Sequence, residues 1–416
     1  MEQKLHTPEG VRDIYSRECE TKLALQKKLN SVLHLYGYQD IQTPTFEFYD
    51  VFREEIGSTS TQELYKFFDR DGNILALRPD ITPSVARAAA TLFEGGDFPI
   101  RLCYAGNTFI NHSSYQGRLK ENTQLGAELI GLDSIEADAE MIAMVVNGLR
   151  AVGLSEFQVS IGHVDFISSL LKAADLNEAE SLEIRSLITN RNYFGVDELL
   201  DSRAVKGSVR KAFRTLPELV GGPEVLEQAL SAAPDLNAQM GVKRLQQIYR
   251  LLKMYGAEDH ISFDLSMSGN YGYYSGIIFR AYTYGTGDAV VRGGRYDHLL
   301  EKFGKNTPSI GFAVIIDELM SALSRQKIRT EAAHRNLIVY TEATEEQAIA
   351  MARSFRDKGR NIELLKRTAE EERSRYEEYA RRKGTTVLLF LTDNGKIEMK
   401  NLRTGEERLA DLNMTD

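Results

Sequence analysis

Four short segments of this chain gather side chains that can hold a small polar molecule. In Gln124-Leu125-Gly126-Ala127-Glu128, alternate residues of an extended chain share a face. Gln124, Gly126 and Glu128 then lie on one side, with Leu125, Ala127 and Leu129 on the other. A carboxylate and an amide flanking a glycine leave room for a ligand: Glu128 can accept from an amine or imidazole N–H, and Gln124 offers a donor and an acceptor. The plainer alternative is a solvated sheet face. Gly269-Asn270-Tyr271-Gly272-Tyr273-Tyr274-Ser275-Gly276 combines glycines, which let a ligand approach the backbone, with tyrosines, whose rings make flat walls with a polar tip. A Tyr-rich hairpin would look the same. Gly293-Gly294-Arg295-Tyr296-Asp297 reads as a sharp turn after a strand at Ala289–Val291. Leu77-Arg78-Pro79-Asp80-Ile81-Thr82-Pro83 reads as a rigid bend that brings a carboxylate and a hydroxyl together. Either could be an ordinary turn, but four such segments in one chain point to a shared pocket.

Other chemistries lack their signatures. There is no GxxxxGK[ST] loop, no HExxH, no GxSxG and no GxGxxG opening a helix. His112, His163 and His298 lie near the segments above but without ligand spacing, so neither a metal nor a cofactor is expected. Cys19 and Cys103 form no CxxC pair and read as small core residues of a protein from a reducing compartment. A formal charge of −9 over 416 residues argues against a dominant nucleic-acid footprint. The first twenty residues contain no apolar run, and nowhere do eighteen apolar residues follow one another. A cytoplasmic protein without a signal peptide or membrane span is expected.

The elements that must position these residues can be read from periodicity. Leu25, Leu29, Val32 and Tyr36 recur at helical spacing until Gly37, and Ile100, Leu102 and Tyr104 alternate as a strand. Between about 165 and 260 Leu, Ala and Glu dominate. There Val242, Leu245, Ile248, Leu252 and Tyr255 make a helical stripe, so this stretch reads as a helical insertion. Phe312, Ile316, Leu319 and Leu323 mark one further helix. Beyond 330, Leu337–Tyr340 reads as a buried strand and Thr344 with Gln347 as a capping box; strands and helices then alternate as in a small α/β domain. The division is a core of residues 1–330 and a C-terminal domain of 331–416.

Taken in order, these segments resemble histidyl-tRNA synthetase, a class II synthetase, over essentially the whole chain. Tyr36 to Pro44 resembles motif 1, Leu77 to Thr82 the loop that holds the histidine amino group, and Cys103 to Gly131 motif 2. Tyr273-Tyr274-Ser275-Gly276 and Gly293 to Asp297 resemble the two histidine-specific motifs, and Ile310-Gly311-Phe312-Ala313 opens a segment like motif 3. The resemblance implies an α+β fold: an antiparallel sheet core flanked by helices, with a helical insertion and a small C-terminal domain similar to an anticodon-binding domain. It also implies a histidine pocket of Asp80, Thr82, Arg118, Gln124, Glu128, Tyr274 and Tyr296, with Asp80 standing where the synthetases have Glu.

Where the family holds ATP, this chain departs from it. The Phe-Arg-x-Glu core of motif 2 is here Phe109 followed by Ile110, Asn111 and His112. The Glu-Arg pair of motif 3 is Asp317-Glu318, and the Arg four residues before the Tyr-Tyr pair is Gly269. Phosphoryl chemistry needs cationic clamps on developing charge, and each charge pair at ~4 Å is worth up to roughly 4 kcal/mol at an effective dielectric of about 20. Losing two clamps and inverting a third removes adenylation. A chain with an amino-acid cage and no nucleotide clamps resembles the regulatory subunits of ATP phosphoribosyltransferase. That resemblance implies a non-catalytic chain that forms a homodimer, binds the short-form catalytic subunit in the first step of histidine biosynthesis, and responds to histidine. The alternatives are an active histidyl-tRNA synthetase and a paralogue with another amino-acid ligand. Residues 331–416 hold 16 Lys and Arg against 17 Asp and Glu, so tRNA is not an expected partner.

Overall fold

The structure, a computed structural model, describes residues 5–53, 59–93, 97–112, 118–267, 274–328, 334–368 and 372–411. The chain divides into two compact units, one of residues 1–13 and 25–329, the other of 14–24 and 330–416.

The helix α1 (Ser16–Leu35) contributes its residues from Leu25 onward to the first unit, and there Leu25, Leu29, Val32 and Leu33 are buried. The strands β1 (Gln39–Asp40), β2 (Phe46–Phe48), β3 (Lys66–Phe68) and β4 (Ile74–Leu77) precede α2 (Thr82–Leu92). Next come β5 (Ile100–Phe109), β6 (Glu121–Ile130), α3 (Ile135–Ala151) and β7 (Phe157–His163). Six helices follow: α4 (Val164–Ala173), α5 (Glu178–Thr189), α6 (Tyr193–Ser202), α7 (Gly207–Thr215), α8 (Val225–Ala232) and α9 (Leu236–Met254). The short strand β8 (Val220–Gly221) interrupts them. The unit closes with β9 (Ile261–Asp264), β10 (Ile277–Thr283), β11 (Val291–Arg295), β12 (Ser309–Ile315) and α10 (Ile316–Arg325).

Nine of these strands form one sheet in the order β1-β5-β6-β12-β11-β10-β7-β9-β8. From β5 to β7 every pairing is antiparallel; β1 on β5 and β9 on β7 are parallel, so the sheet is mixed towards its edges. One face is largely apolar. Leu125, Ala127, Leu129, Phe312, Val314 and Phe279 join Met141, Val145 and Leu149 of α3 and Val242, Leu245 and Ile248 of α9 in a single core, which also takes in Ile184 of α5 and Leu200 of α6. On the other face α2 packs Val85, Ala86 and Ala89 against Leu102, Tyr104 and Tyr296, walling the sheet on one side only. A separate small sheet, β2-β4-β3, leaves Phe46, Phe48, Phe68 and Ile74 exposed.

Two readings of local structure are corrected here. Gly293, Gly294 and Arg295 are not a turn but the body of β11, and Ala289 precedes that strand. Glycines serve in this strand because other side chains occupy their space: a Cβ on Gly294 would stand 2.6 Å from the Tyr274 ring. Phe312 belongs to β12, and the helix starts only at Ile316; strand and helix periods coincide over one step, so Phe312 fitted both.

The second unit holds β13 (Arg335–Tyr340), α11 (Glu345–Asp357), β14 (Asn361–Lys366), α12 (Arg373–Lys383), β15 (Val387–Leu391), β16 (Lys396–Asn401) and β17 (Glu407–Asp411). Its sheet runs β14-β13-β15-β16-β17, parallel over the first three strands. Ile338 faces a core with Ala348 and Met351 of α11, while Leu337 and Val339 face Tyr376 and Ala380 of α12, so β13 is buried on both sides. Thr344 does not cap α11 through its side chain. The hydroxyl turns back to the backbone N–H of Thr341 at 3.0 Å, and the capping box encloses Thr341 to Thr344.

Candidate functional site

The half-covered face of the large sheet carries a cavity of about 600 Å³, open solvent included. Register explains its floor. Glu128 pairs with Gly311 and Gly311 with Gly294, while Gly126 pairs with Ala313 and Ala313 with Arg292. These residues therefore point to one side, with glycine or alanine at the centre. Asp80, Thr82, Gln124, Tyr274 and Tyr296 line the cavity, so five of the seven residues singled out in the sequence meet there. Glu128 lies directly beneath. Arg118 is exposed and is not part of the lining. Gly269 lies outside the described residues.

Each side chain has an identifiable support. Asp80 sits at the start of α2, its Oδ1 accepting the backbone N–H of Ile81 at 2.7 Å, where the helix dipole favours a carboxylate. Ser275 and Asp297 tie the Tyr274 segment to the strand end at β11: the Ser275 hydroxyl donates to Asp297 Oδ2 at 2.8 Å, and the Asp297 N–H donates back to that hydroxyl at 2.8 Å. Arg295, almost fully buried, leaves β11 by the opposite face and bonds Asp138 of α3 at 2.5 Å. That contact fixes the strand from which Tyr296 rises towards the cavity.

Glu128 is the electrostatic centre. It is 1% exposed and accepts from Thr82 Oγ1 at 2.7 Å, from Tyr104 Oη at 3.2 Å and from Tyr296 Oη. Burial disfavours its charged form more than these donors favour it, with Asp80 nearby adding repulsion, and its carboxyl is pushed up to about 8. At neutral pH it holds its proton. Burial likewise drives the Tyr104 and Tyr296 hydroxyls well above their ordinary range, so both remain donors. Gly311 makes this arrangement possible, since a Cβ there would stand 1.5 Å from Glu128 Oε2. Gln124 Oε1 is a buried acceptor with no hydrogen-bond partner among the described residues, which leaves it available to an N–H donor entering the cavity.

The positions read as lost ATP clamps are now placed. Ile110 contributes an apolar wall to the cavity. His112 turns its Nδ1 to Glu63 at 3.3 Å. Glu318 lies half-buried in the first turn of α10, where its neighbour Asp317 accepts the backbone N–H of Thr123 at 2.7 Å. Thr59, Ile315 and Arg292 also line the cavity and escaped the sequence reading, and of these Arg292 is the charged one. Arg292 stands one residue before Gly293-Gly294, where an alternating strand gives a charged side chain no distinction.

The histidyl-tRNA synthetase family pattern matches residues 10–319. An Acetivibrio thermocellus protein named ATP phosphoribosyltransferase regulatory subunit is 37% identical over 406 residues, which span 97% of each chain. A crystal structure from Bacillus halodurans, described as an ATP phosphoribosyltransferase regulatory subunit/histidyl-tRNA synthetase, has a TM-score of 0.81 at 31% identity and covers 90% of this chain and 96% of its own. Histidyl-tRNA synthetase from a Nostoc species has the same fold, with a TM-score of 0.81 at 19% identity over 98% of this chain and 96% of its own.

Sheet, pocket and similarity together define a class II core of the histidyl-tRNA synthetase type. Within that class the chain belongs to the family of ATP phosphoribosyltransferase regulatory subunits, and its relatives carry the name of regulatory rather than catalytic chains. The match to the Acetivibrio protein extends through the C-terminal unit as well.

Proposed function

We propose that this chain binds and activates a short-form ATP phosphoribosyltransferase in the first step of histidine biosynthesis and conveys feedback by histidine. One observation carries this reading. The cavity keeps an amino-acid set of Asp80, Thr82, Gln124, Tyr274 and Tyr296 over Glu128, while Ile110 fills the wall where a phosphate clamp would stand. An imidazole N–H is a fitting donor to Gln124 Oε1, and Asp80 is a fitting partner for an ammonium. Feedback requires that histidine bind the inhibited assembly more tightly than the active one.

The exposed aromatic side chains of the β2-β4-β3 sheet, next to the motif 1 segment, support a homodimer through that surface. The balanced charge of residues 331–416 supports a role for the C-terminal unit other than tRNA binding. No helix among the described residues is long and apolar enough to cross a membrane, which agrees with a cytoplasmic protein.

The test is co-purification with the short catalytic chain, followed by its activity with and without this protein and with added histidine. Stimulation by this chain and inhibition by histidine are expected. Absence of complex formation would overturn the proposal, and calorimetric binding of a different amino acid in preference to histidine would replace the ligand.

A further inference from the structure

We infer that Arg292 holds the α-carboxylate of the amino acid bound in this cavity, an inference that rests on the amino-acid reading above. Among the described residues, Asp80 and Arg292 are the two charged side chains on the lining, one anion and one cation, which is the pattern a zwitterion requires. The register sets their arrangement. Arg292 lies opposite Ala313, and Ala313 opposite Gly126, so nothing larger than a methyl group rises from the sheet between the guanidinium and the middle of the floor.

Glu128 pairs through Gly311 with Gly294, so Arg292 starts two strands and one pleat away, about 12 Å from Glu128 along the backbone surface. An arginine side chain and an amino acid of histidine's length cover that span end to end. The ligand side chain then meets Gln124, its ammonium meets Asp80, and its carboxylate points towards β11.

The charge around Arg292 independently favours an anion. Arg280 of β10 stands directly opposite Arg292 on the same sheet face. Two guanidinium groups in facing positions repel. Asp288 bonds Arg292 at 2.5 Å and offsets part of that charge. The bidentate geometry of guanidinium suits a carboxylate.

Calorimetric titration with L-histidine and with histamine, which keeps the imidazole and ammonium but lacks the carboxylate, tests this on the full-length chain. The wild type should prefer histidine. Arg292→Gln should weaken histidine by roughly 10- to 100-fold while leaving histamine within about twofold, the range expected for a hydrogen bond to a charged group. Arg292→Lys should recover part of the loss, which separates charge from packing. Equal weakening of both ligands, or of neither, overturns the inference while leaving the histidine reading standing. A wild type that binds neither ligand defeats the histidine reading itself, and the inference falls with it.

Discussion

Arg295 and Arg292 leave the same strand by opposite faces, and the two regions they enter differ in kind. Arg295 enters a closed network in which Asp138 is fully buried, bonded by Arg295 at 2.5 Å and by Arg244 of α9 at 2.6 Å. Burial pushes the Asp138 carboxyl upward even with Arg295 and Arg244 opposing it. The other side of the sheet sets hydroxyls, an amide and a neutral carboxyl, together with Asp80 and Arg292, around open space. Ionic groups sealed on one face tie α3, α9 and β11 together; polar groups left open on the other face are available for binding. Burying charge does not by itself mark a ligand site, and the distinction lies in whether partners within the chain complete the set.

The sharpest way to break this comparison is Asp138→Ala. It leaves the buried Arg295 and the half-buried Arg244 without the carboxylate they share and should lower stability by about 3–5 kcal/mol in urea unfolding. A loss below about 1 kcal/mol would mean that the network is not the anchor described here. Gly311→Ala should cost about 1–3 kcal/mol, because the added methyl must displace Glu128 from beneath the cavity; it should also impair amino-acid binding, and a variant with wild-type affinity would contradict the floor described above. The third effect is spread over several pH units. The folded Glu128 carboxyl keeps its proton up to about 8, whereas an exposed glutamate releases it near 4.5. Its stabilisation is therefore complete below 4.5 and is lost as the pH rises through 8, with a slope of up to ~1.4 kcal/mol per pH unit. Glu128→Gln should flatten that part of the profile, and an unchanged slope would show that the group titrates elsewhere.

Much of the site could be read in advance because its parts sit on elements with a simple period. Gln124, Gly126 and Glu128 declared a common face through alternation alone, and the Leu25 stripe located α1. That face is buried rather than solvated, since α2 and Tyr296 lie over Glu128, a tertiary effect that alternation does not encode. Gly293-Gly294 misled for a related reason: two glycines suggest a turn, yet here they are cut-outs in a flat strand for Phe279 and Tyr274. Arg118 matched a family segment by sequence and is exposed away from the lining. Arg292 carried no local signal at all, because a single arginine in an alternating strand is commonplace and only the cross-strand register brings it to the cavity.

A protonated Glu128 also sets the electrical balance of the cavity. With that group neutral, Asp80 and Arg292 cancel, and the interior suits a guest that has no net charge of its own. Once alkaline conditions strip the proton away, the same walls become net negative and turn towards cationic side chains. Selectivity among amino acids would then shift with acidity without any movement of the backbone.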